Sequence, residues 1–568
     1  MYLRVPSDGG MLGRMHNRHF LRAAFSAFAI LTASALAAPP VAIEPDKITE
    51  HVRVLASDEF EGRAPASAGE KKTLDYLIAQ LKAAGLQPGG DPQGSGRSWT
   101  QDVPLQRAEI KGPMSISVRA GKDTLQWQQS EQIVIRAAQT GTNEVAINGA
   151  PLVFAGYGVT APERKWDDYK GIDLKGKIVL MLVNDPDFET GQGDFGGKAM
   201  TYYGRWTYKF EEAARRGAAG VLVIHEEAPA AYPWATPANS DAAPTFDIIR
   251  RNPLEQHTPM EGWIHRDAAL DLFKRAGLDF AKLKAQAQTR DFRPVALPGV
   301  TFSTKFAVDT QRVISKNVVA MLPGKQHANE YVIYTAHWDH VGVGRPDAKG
   351  DAIYNGAVDN AAGVGQVIEI ARAFAANERT DRSVVFLFVT AEEKNLLGTE
   401  YYAANPLYPL ATTVADLNTD APRPSGPAKD FTTAGDGAVT LQDDVIVVAK
   451  EFGRYFSPDT APAAGRFFRS DHFALAKRGV PAISFKSGED LVDGGRAAGE
   501  AFGKAYTRDR YHQPADEFTA DWRSDGIAAD ATLLYEVGRR LANSREWPTW
   551  KAGSEFKQIR DATASQRQ

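Results

Sequence analysis

Residues 383–393 read SVVFLFVTAEE, an apolar run that ends in two adjacent glutamates. Valine, phenylalanine and leucine at successive positions are typical of a strand that is buried on both faces of a parallel sheet. In open α/β sheets, the functional groups lie beyond the carboxyl ends of the strands. The stretch therefore predicts a central strand with an acidic site at its end.

Two nearby patterns extend this prediction. Tyr331 to Thr335 forms a second apolar run that leads into His337, and residues 361–376 have the pattern of a helix. Alternating strands and helices are typical of an α/β fold in which helices cover both faces of a mostly parallel sheet. We therefore predict this fold class, with His337 and the pair Glu392 and Glu393 at one edge of the sheet.

Side chains of the kinds that bind metal ions follow one another through the second half of the chain: His337, Asp359, Glu393, Asp420 and His512. A mixture of imidazole and carboxylate groups suits Zn²⁺. Glu392 is left over beside one of these ligands, as a hydrolase requires of a general base. Each position alone has a simpler explanation, such as a helix cap for Asp359 or an exposed acidic turn for the two glutamates.

Several other polar residues accompany this series. Asp339 follows His337 by two positions, shares its face on an extended chain, and could hold the second ring nitrogen. Asp516 is a possible partner of the same kind, and His340 is interpreted as structural. The triplet SDH at 470–472 suggests a serine hydrolase, but a helix cap at Ser470 is the favoured interpretation.

The N-terminus, residues 1–37, is interpreted as a secretory signal peptide. Three arginines precede an apolar run that ends in a small-residue cleavage signal, and this run is shorter than the roughly 20 residues of a membrane span. We therefore expect an exported protein, periplasmic or secreted from a bacterium, with no membrane span after cleavage. The net charge of −4 and the lack of a basic block do not indicate a nucleic-acid partner, and the lack of cysteine is compatible with a periplasm.

Taken together, the motifs resemble those of a known family. The matching stretches are TAHWDH (335–340), VDNAAG (358–363), TAEEKNLLGT (390–399), NTD (418–420) and YHQP (511–514). They resemble the dizinc aminopeptidases, a family that also contains glutamate carboxypeptidase II, the transferrin receptor and glutaminyl cyclase. The resemblance implies a zinc exopeptidase fold, peptide substrates and two Zn²⁺ per chain.

The resemblance also implies a role for each residue. Asp359 would bridge the two zinc ions, His337 and Asp420 would hold one, and Glu393 and His512 would hold the other. Glu392 would be the general base, and Asp339 would orient His337. Members of the family often have a cis peptide bond after the bridging aspartate, which here would join Asp359 to Asn360.

The predicted domain organisation follows from a change in amino-acid composition along the chain. Between residues 146 and 290, short apolar runs alternate with loops rich in Asp, Gly and Pro, which predicts a small β-rich domain without catalytic groups. This segment resembles a protease-associated domain inserted into the peptidase domain. The peptidase domain would then comprise residues 38–145 and 291–548, followed by a polar tail at 549–568.

An aminopeptidase is the activity that the resemblance favours, and other readings stay open. A carboxypeptidase or dipeptidase would use the same metal site and would need a cationic subsite, which Arg466 or Arg469 could supply. A receptor-like module without catalysis and a glutaminyl cyclase are further alternatives. Retention of all five ligands argues against both.

Overall fold

The computed structural model describes residues 42–239, 244–435 and 438–567. The predicted signal peptide, residues 1–37, lies outside these ranges. No helix within them is long and apolar enough to cross a lipid bilayer. The described residues form one compact unit.

Nine of the fourteen α-helices in the described residues lie outside the segment 146–290. They are α1 (Pro45–Leu55), α2 (Ala68–Ala83), α3 (Trp206–Arg215), α4 (Glu227–Ala230), α5 (Ala235–Asn239), α6 (Arg266–Arg275), α7 (Phe280–Ala287), α8 (Gly363–Ala376), α9 (Leu397–Ala404), α10 (Thr440–Glu451), α11 (His472–Ala476), α12 (Gly495–Asp509), α13 (Asp525–Asn543) and α14 (Lys557–Ala562). The helix predicted at 361–376 is α8.

In the described residues, the strands range in length from two to 28 residues. They are β1 (Gln87–Pro88), β2 (Pro92–Gln93), β3 (Gly96–Arg97), β4 (Thr100–Ala120), β5 (Asp123–Gln126), β6 (Ile133–Ile135), β7 (Glu144–Phe154), β8 (Thr160–Ala161), β9 (Trp166–Asp167), β10 (Ile178–Leu182), β11 (Gly220–His225), β12 (Thr245–Ile248), β13 (Met260–His265), β14 (Val295–Leu322), β15 (His327–His337), β16 (Gly342–Val343), β17 (Ile353–Tyr354), β18 (Arg382–Val389), β19 (Thr413–Thr419), β20 (Asp430–Thr433), β21 (Tyr455–Phe456) and β22 (Ala482–Ser487).

The main sheet has the strand order β21-β20-β22-β19-β15-β18-β14-β7-β10-β11-β13-β6. Strands β22, β19, β15 and β18 are parallel neighbours, and so are β7, β10, β11 and β13. The long strand β14 is antiparallel to both groups and joins them. The predicted mostly parallel α/β fold is therefore confirmed.

Strand β18 is the centre of the fold, as its sequence predicts. All of its residues are buried, and they alternate between two apolar layers. Val384, Phe386 and Phe388 pack into the layer that contains α8 and α13, whereas Val385 and Leu387 pack into the layer that contains α9 and α11. Because helices cover both faces, the positions from Val384 to Val389 are all apolar, which explains the unbroken run.

The segment predicted as an inserted domain continues the same sheet. Strands β7, β10, β11 and β13 lie within or at the start of it, and α3 and α6 pack against them. The first part of β14 pairs with β7 and its last part pairs with β18. The segment is thus joined to the rest of the protein through one continuous strand, and its identity as a protease-associated domain stays a prediction.

The C-terminal residues differ from the predicted polar tail because they pack onto the body of the protein. Trp550 and Phe556 are 1% and 5% exposed, and the indole N–H of Trp550 donates to the backbone oxygen of Gly479 at 3.1 Å. Arg560 is also buried and donates to the backbone oxygen of Thr413 at 2.9 Å. A few large side chains hold a segment whose average composition is polar.

We expect Trp550→Ala to lower the free energy of unfolding by about 3–5 kcal/mol, because it removes a fully buried aromatic side chain. Urea denaturation followed by fluorescence or circular dichroism measures the change. Ile559→Ala is the matched control, since Ile559 lies in the same segment but is 45% exposed. An unchanged unfolding curve for Trp550→Ala would mean that the tail does not stabilise the protein.

Candidate metal centre

Three neighbouring parallel strands end at the same edge of the sheet and carry the predicted site. Strand β15 ends at His337, which is in register with Val389 at the end of β18. Strand β19 ends at Thr419, directly before Asp420. Because the carboxyl ends are aligned, side chains that are far apart in the sequence come together. The expectation that His337 and the glutamate pair share one edge is confirmed.

The five predicted ligands meet in two groups that share Asp359. His337 Nε2 lies 3.3 Å from Asp359 Oδ1 and 3.4 Å from Asp420 Oδ1. On the other side, His512 Nε2 lies 3.3 Å from Asp359 Oδ2 and 3.0 Å from Glu393 Oε2. Each oxygen of the Asp359 carboxylate therefore faces a different imidazole.

These separations fit zinc. Two ligand atoms that bind one tetrahedral Zn²⁺ at about 2.0–2.1 Å lie about 3.3–3.4 Å apart. The contacts of His337 with Asp359 and Asp420 have this spacing, and both contacts of His512 are close to it. The donor set, two imidazoles and three carboxylates, is also the kind that Zn²⁺ accepts. The residues present therefore fit zinc, and the two groups of donor atoms share Asp359.

His340 lies beside the second group but is spaced differently. Its Nδ1 is 2.6 Å from Glu393 Oε1, which is too short for two ligands of one tetrahedral ion. His340, Asp359 and Glu393 do offer donor atoms within 4.8 Å of one another. Neither His340 Nδ1 nor Glu393 Oε1 has a hydrogen-bond partner of good geometry among the described residues, so the structural role of His340 stays a prediction.

Glu392 and Glu393 are adjacent, but their surroundings shift their pKa values in opposite directions. Burial and the nearby charges of Glu393 and Asp420 raise the pKa of Glu392 well above its usual value, although His337 opposes this. Burial also disfavours the ionised form of Glu393, but His512 and His340 hold the pKa of Glu393 well below its usual value. Neighbouring acids with separated pKa values are suited to different roles, here an anionic ligand and a proton acceptor.

Asp339 acts differently from its predicted role. The atom nearest to His337 Nδ1 is the backbone oxygen of Asp339 at 3.1 Å, whereas the carboxylate is 3.9 Å away. The carboxylate oxygen Oδ1 instead accepts a hydrogen bond from the backbone N–H of Glu392 at 3.0 Å. The chain turns after β15, so the carbonyl faces the ring and the carboxylate holds the loop that carries the glutamates.

Asp516 holds the loop that carries Asp359. Its two carboxylate oxygens accept hydrogen bonds from the backbone N–H groups of Val358 and Asp359 at 3.2 and 3.1 Å. The sequence indicated Asp516 as a partner without its target, and the target is this backbone. The peptide bond between Asp359 and Asn360 is cis, as the family resemblance predicted.

Sequence reasoning missed two cations that support the site. Arg63 is 1% exposed, and its guanidinium donates to the backbone oxygens of Trp338, Asn355 and Gly356 at 2.9, 2.6 and 2.9 Å. It thereby connects the loop after β15 to the loop before Asp359. No local pattern marks this arginine, because these three partners lie 275 to 293 positions away.

The second cation is Lys486, at the end of β22. Its ammonium group donates to the backbone oxygen and to Oδ2 of Asp420 at 2.6 and 3.2 Å. Together with His337, Lys486 lowers the pKa of Asp420 against the effect of burial. Oδ1 of Asp420 is left facing His337. A lysine at a strand end has no special signature, so only the packing identifies it.

The triplet at 470–472 does not form a catalytic triad. The hydroxyl of Ser470 accepts a hydrogen bond from Asn418 Nδ2 at 2.6 Å, so it does not cap a helix as predicted. Asp471 accepts a hydrogen bond from the hydroxyl of Thr399 at 2.6 Å. His472 is fully buried beside them in α11. The triplet therefore supports the ends of β19 and α9.

Two cavities adjoin the candidate ligands. One, of about 260 Å³, extends from Glu392 and Glu393 to residues 205–261, which belong to the segment 146–290. We call that segment the middle segment. The other, of about 440 Å³, passes Asp359 and Asp420. Glu392 lines both, so a ligand that spans the two cavities would pass this carboxylate.

Comparisons with known proteins match the segment that carries these residues. Residues 317–535 match the model of Peptidase family M28. A probable zinc metalloprotease of Pyrenophora teres f. teres is 33% identical over 120 residues, which are 20% of this chain and 25% of that protein. A probable zinc metalloprotease of Pyricularia oryzae is 23% identical over 296 residues, which are 47% of this chain and 56% of that protein.

The chain thus spans from a quarter to little more than half of the length of these curated relatives. Among solved structures, an aminopeptidase from Aneurinibacillus sp. strain AM-1 is 17% identical with a TM-score of 0.47. That alignment covers 88% of this chain and 94% of the other.

We expect Asp516→Ala to weaken divalent cation binding by roughly 10- to 100-fold, because the loop that carries Asp359 loses its support. The buried N–H groups of Val358 and Asp359 would lose their acceptor, at a cost of about 1–3 kcal/mol in stability. Titration against a chromophoric chelator measures the affinity. Glu517→Ala is the neighbouring exposed control, and equal affinities in the two variants would contradict the role of Asp516.

Proposed function

Residues 317–535 form a domain of peptidase family M28, and on this premise we propose that the chain is an exported zinc metallopeptidase that releases N-terminal residues from peptides. The observation that carries the proposal is the pair of imidazoles that face opposite oxygens of Asp359, with Glu392 left over beside them. Export remains a prediction of the N-terminal sequence.

The proposed metal ligands divide the site into two halves. His337 and Asp420 would hold one zinc ion, Glu393 and His512 would hold the other, and Asp359 would bind both. When bound, the ions would lower the pKa of water and polarise the scissile carbonyl group. Five buried or partly buried ionisable side chains at this spacing support a pair of cations, because the carboxylates would otherwise repel one another.

Glu392 is the proposed general base. Its carboxylate has no hydrogen-bond partner among the described residues, whereas its backbone N–H is held by Asp339. Burial raises the pKa of Glu392, so its carboxylate is a stronger base than that of a solvated glutamate. We propose that it accepts a proton from the attacking water and then donates that proton to the leaving amine. Asp339 would position it through the backbone.

A second candidate is a carboxypeptidase or dipeptidase that uses the same ligands. The observation that favours it is Arg469, which lines both cavities together with Glu392. Arg466, the other arginine suggested by the sequence, is bound instead by Asp459 at 3.5 Å. A receptor-like module or a glutaminyl cyclase is less well supported, since all five ligands are present and converge.

We expect Glu392→Gln to lower kcat by roughly 10²- to 10⁴-fold while the zinc content per chain stays unchanged, because the amide keeps the shape but cannot accept the proton. Peptide hydrolysis and elemental analysis on the same samples measure the two quantities. Glu378→Gln, whose side chain is 87% exposed, is the control. If zinc is lost from Glu392→Gln, the carboxylate is a ligand rather than the base.

End-blocked hexapeptides distinguish the two candidate activities. For an aminopeptidase, acetylation of the N-terminus should abolish cleavage, since the free amino group is needed, whereas amidation of the C-terminus should leave cleavage measurable. Mass spectrometry identifies the residue released from each peptide. Cleavage of the acetylated peptide from its C-terminus would reject the aminopeptidase in favour of the carboxypeptidase.

A further inference from the structure

The cavity of about 260 Å³ beside Glu392 and Glu393 is lined by five Arg and Lys side chains and by six carboxylates. Its walls come mainly from the segment 146–290, the segment 466–477 and residues 392–400. Most of its charges form pairs across the cavity wall. Two arginines of the wall, Arg205 and Arg469, form no such pair. Arg205 belongs to the middle segment, and Arg469 belongs to the segment 466–477.

The acidic side chains of this cavity are already paired. Those outside the metal centre are Glu211 with Lys477 at 3.2 Å, Asp247 with Arg250 at 2.7 Å, Glu261 with His257 at 3.0 Å, and Glu400 with Arg250 at 3.6 Å. Each of these carboxylates therefore has a cationic partner within the wall. None of them is near enough to Arg205 or Arg469 to form an ion pair in the described part of the chain.

Arg205 precedes helix α3 and is the more buried of the two. Its guanidinium forms no hydrogen bond or ion pair with any described residue, and its Nε is inaccessible to solvent. Burial and the positive charge of Arg469 lower the pKa of Arg205 to about 10. A buried donor without an acceptor is costly, so natural proteins rarely leave one unless a ligand completes it.

Arg469 is exposed, belongs to the turn that precedes Ser470, and lines both cavities. It also has no ion-pair or hydrogen-bond partner among the residues described. Arg205 and Arg469 line the same cavity of about 260 Å³. Two like charges that face a cavity repel each other unless an anion lies between them.

We propose that Arg205 and Arg469 form a subsite for a carboxylate group of the peptide. A guanidinium presents its N–H groups in a planar fork that matches a carboxylate, and two such groups would neutralise each other's repulsion through the shared anion. The subsite lies in the cavity that opens at Glu392, so the carboxylate would belong to the part of the peptide on that side of the scissile bond. This inference rests on the proposed peptidase activity.

The proposal gives the middle segment a role in substrate selection. That segment carries none of the proposed metal ligands, but it supplies Arg205 and the wall around it. Two sources of the carboxylate share this chemistry, namely the C-terminus of a short peptide and an acidic side chain. A C-terminal carboxylate would make the enzyme selective for short peptides.

Matched pairs of peptides test the subsite. Alanylalanine is compared with alanylalanine amide, and C-terminally amidated alanylglutamate is compared with alanylglutamine amide. We expect Arg205→Gln and Arg469→Gln to lower kcat/KM by roughly 10- to 100-fold for the charged member of one pair and to leave its neutral partner unchanged. The pair that responds identifies the source of the carboxylate.

The control is Arg216→Gln, which removes an arginine of the same region that is bound by Glu212 at 2.8 Å and lines neither cavity. Arg469→Lys should restore part of the selectivity, because it keeps the charge but lacks the fork. Thermal unfolding should show no loss of stability in Arg205→Gln, since the guanidinium stabilises nothing in the free protein. An equal decrease in kcat/KM for the charged and the neutral member of each pair would overturn the proposal.

A binding measurement separates this inference from the proposed function. Glu392→Gln protein is titrated calorimetrically with alanylalanine and with its amide, with and without the added Arg205→Gln substitution. Preference for the carboxylate that disappears with Arg205 supports the subsite even if the parent protein cleaves no peptide. Equal binding of the two peptides would exclude the subsite even in an active peptidase.

Discussion

The structure depends on the concentration of negative charge at the ends of three parallel strands. Asp339, Asp359, Glu392, Glu393 and Asp420 all lie at this edge; the first two are buried and the other three are partly buried. Carboxylates in such proximity raise one another's pKa or require cations. The imidazoles of the site, facing Asp359, Asp420 and Glu393, show where those cations fit. The apolar strands behind them supply the rigid support that holds like charges together.

Groups around the candidate ligands hold this arrangement in place. Arg63 binds the carbonyl groups of two loops, Asp516 binds the amide groups of one of them, and Lys486 fixes one oxygen of Asp420. Each contact fixes the direction of a ligand rather than supplying one. Supporting groups of this kind tune the affinity and geometry of a metal site. The support comes from the N-terminal segment, the C-terminal segment and the sheet at once.

The same edge of the sheet connects the centre to its surroundings. Glu392 lies between two cavities, and one of them is walled by the middle segment that β14 joins to the core. Arg205 and Arg469 leave that cavity with positive charge that no described side chain neutralises. The candidate ligands are held at the ends of the parallel strands, whereas Arg205 is held by the segment 146–290 beside them.

The sequence by itself determined the α/β class, the central strand at 383–389 and the series of metal-type ligands. A strand buried on both faces shows as an apolar run of neighbouring residues, and the order of the motifs can be read directly along the chain. Tertiary structure alone decided the partners. Asp339 holds a backbone amide instead of the ring of His337, the polar C-terminal segment packs through Trp550, and Arg205 remains unpaired. These outcomes depend on contacts between segments hundreds of residues apart, and local periodicity carries no information about which distant groups will meet.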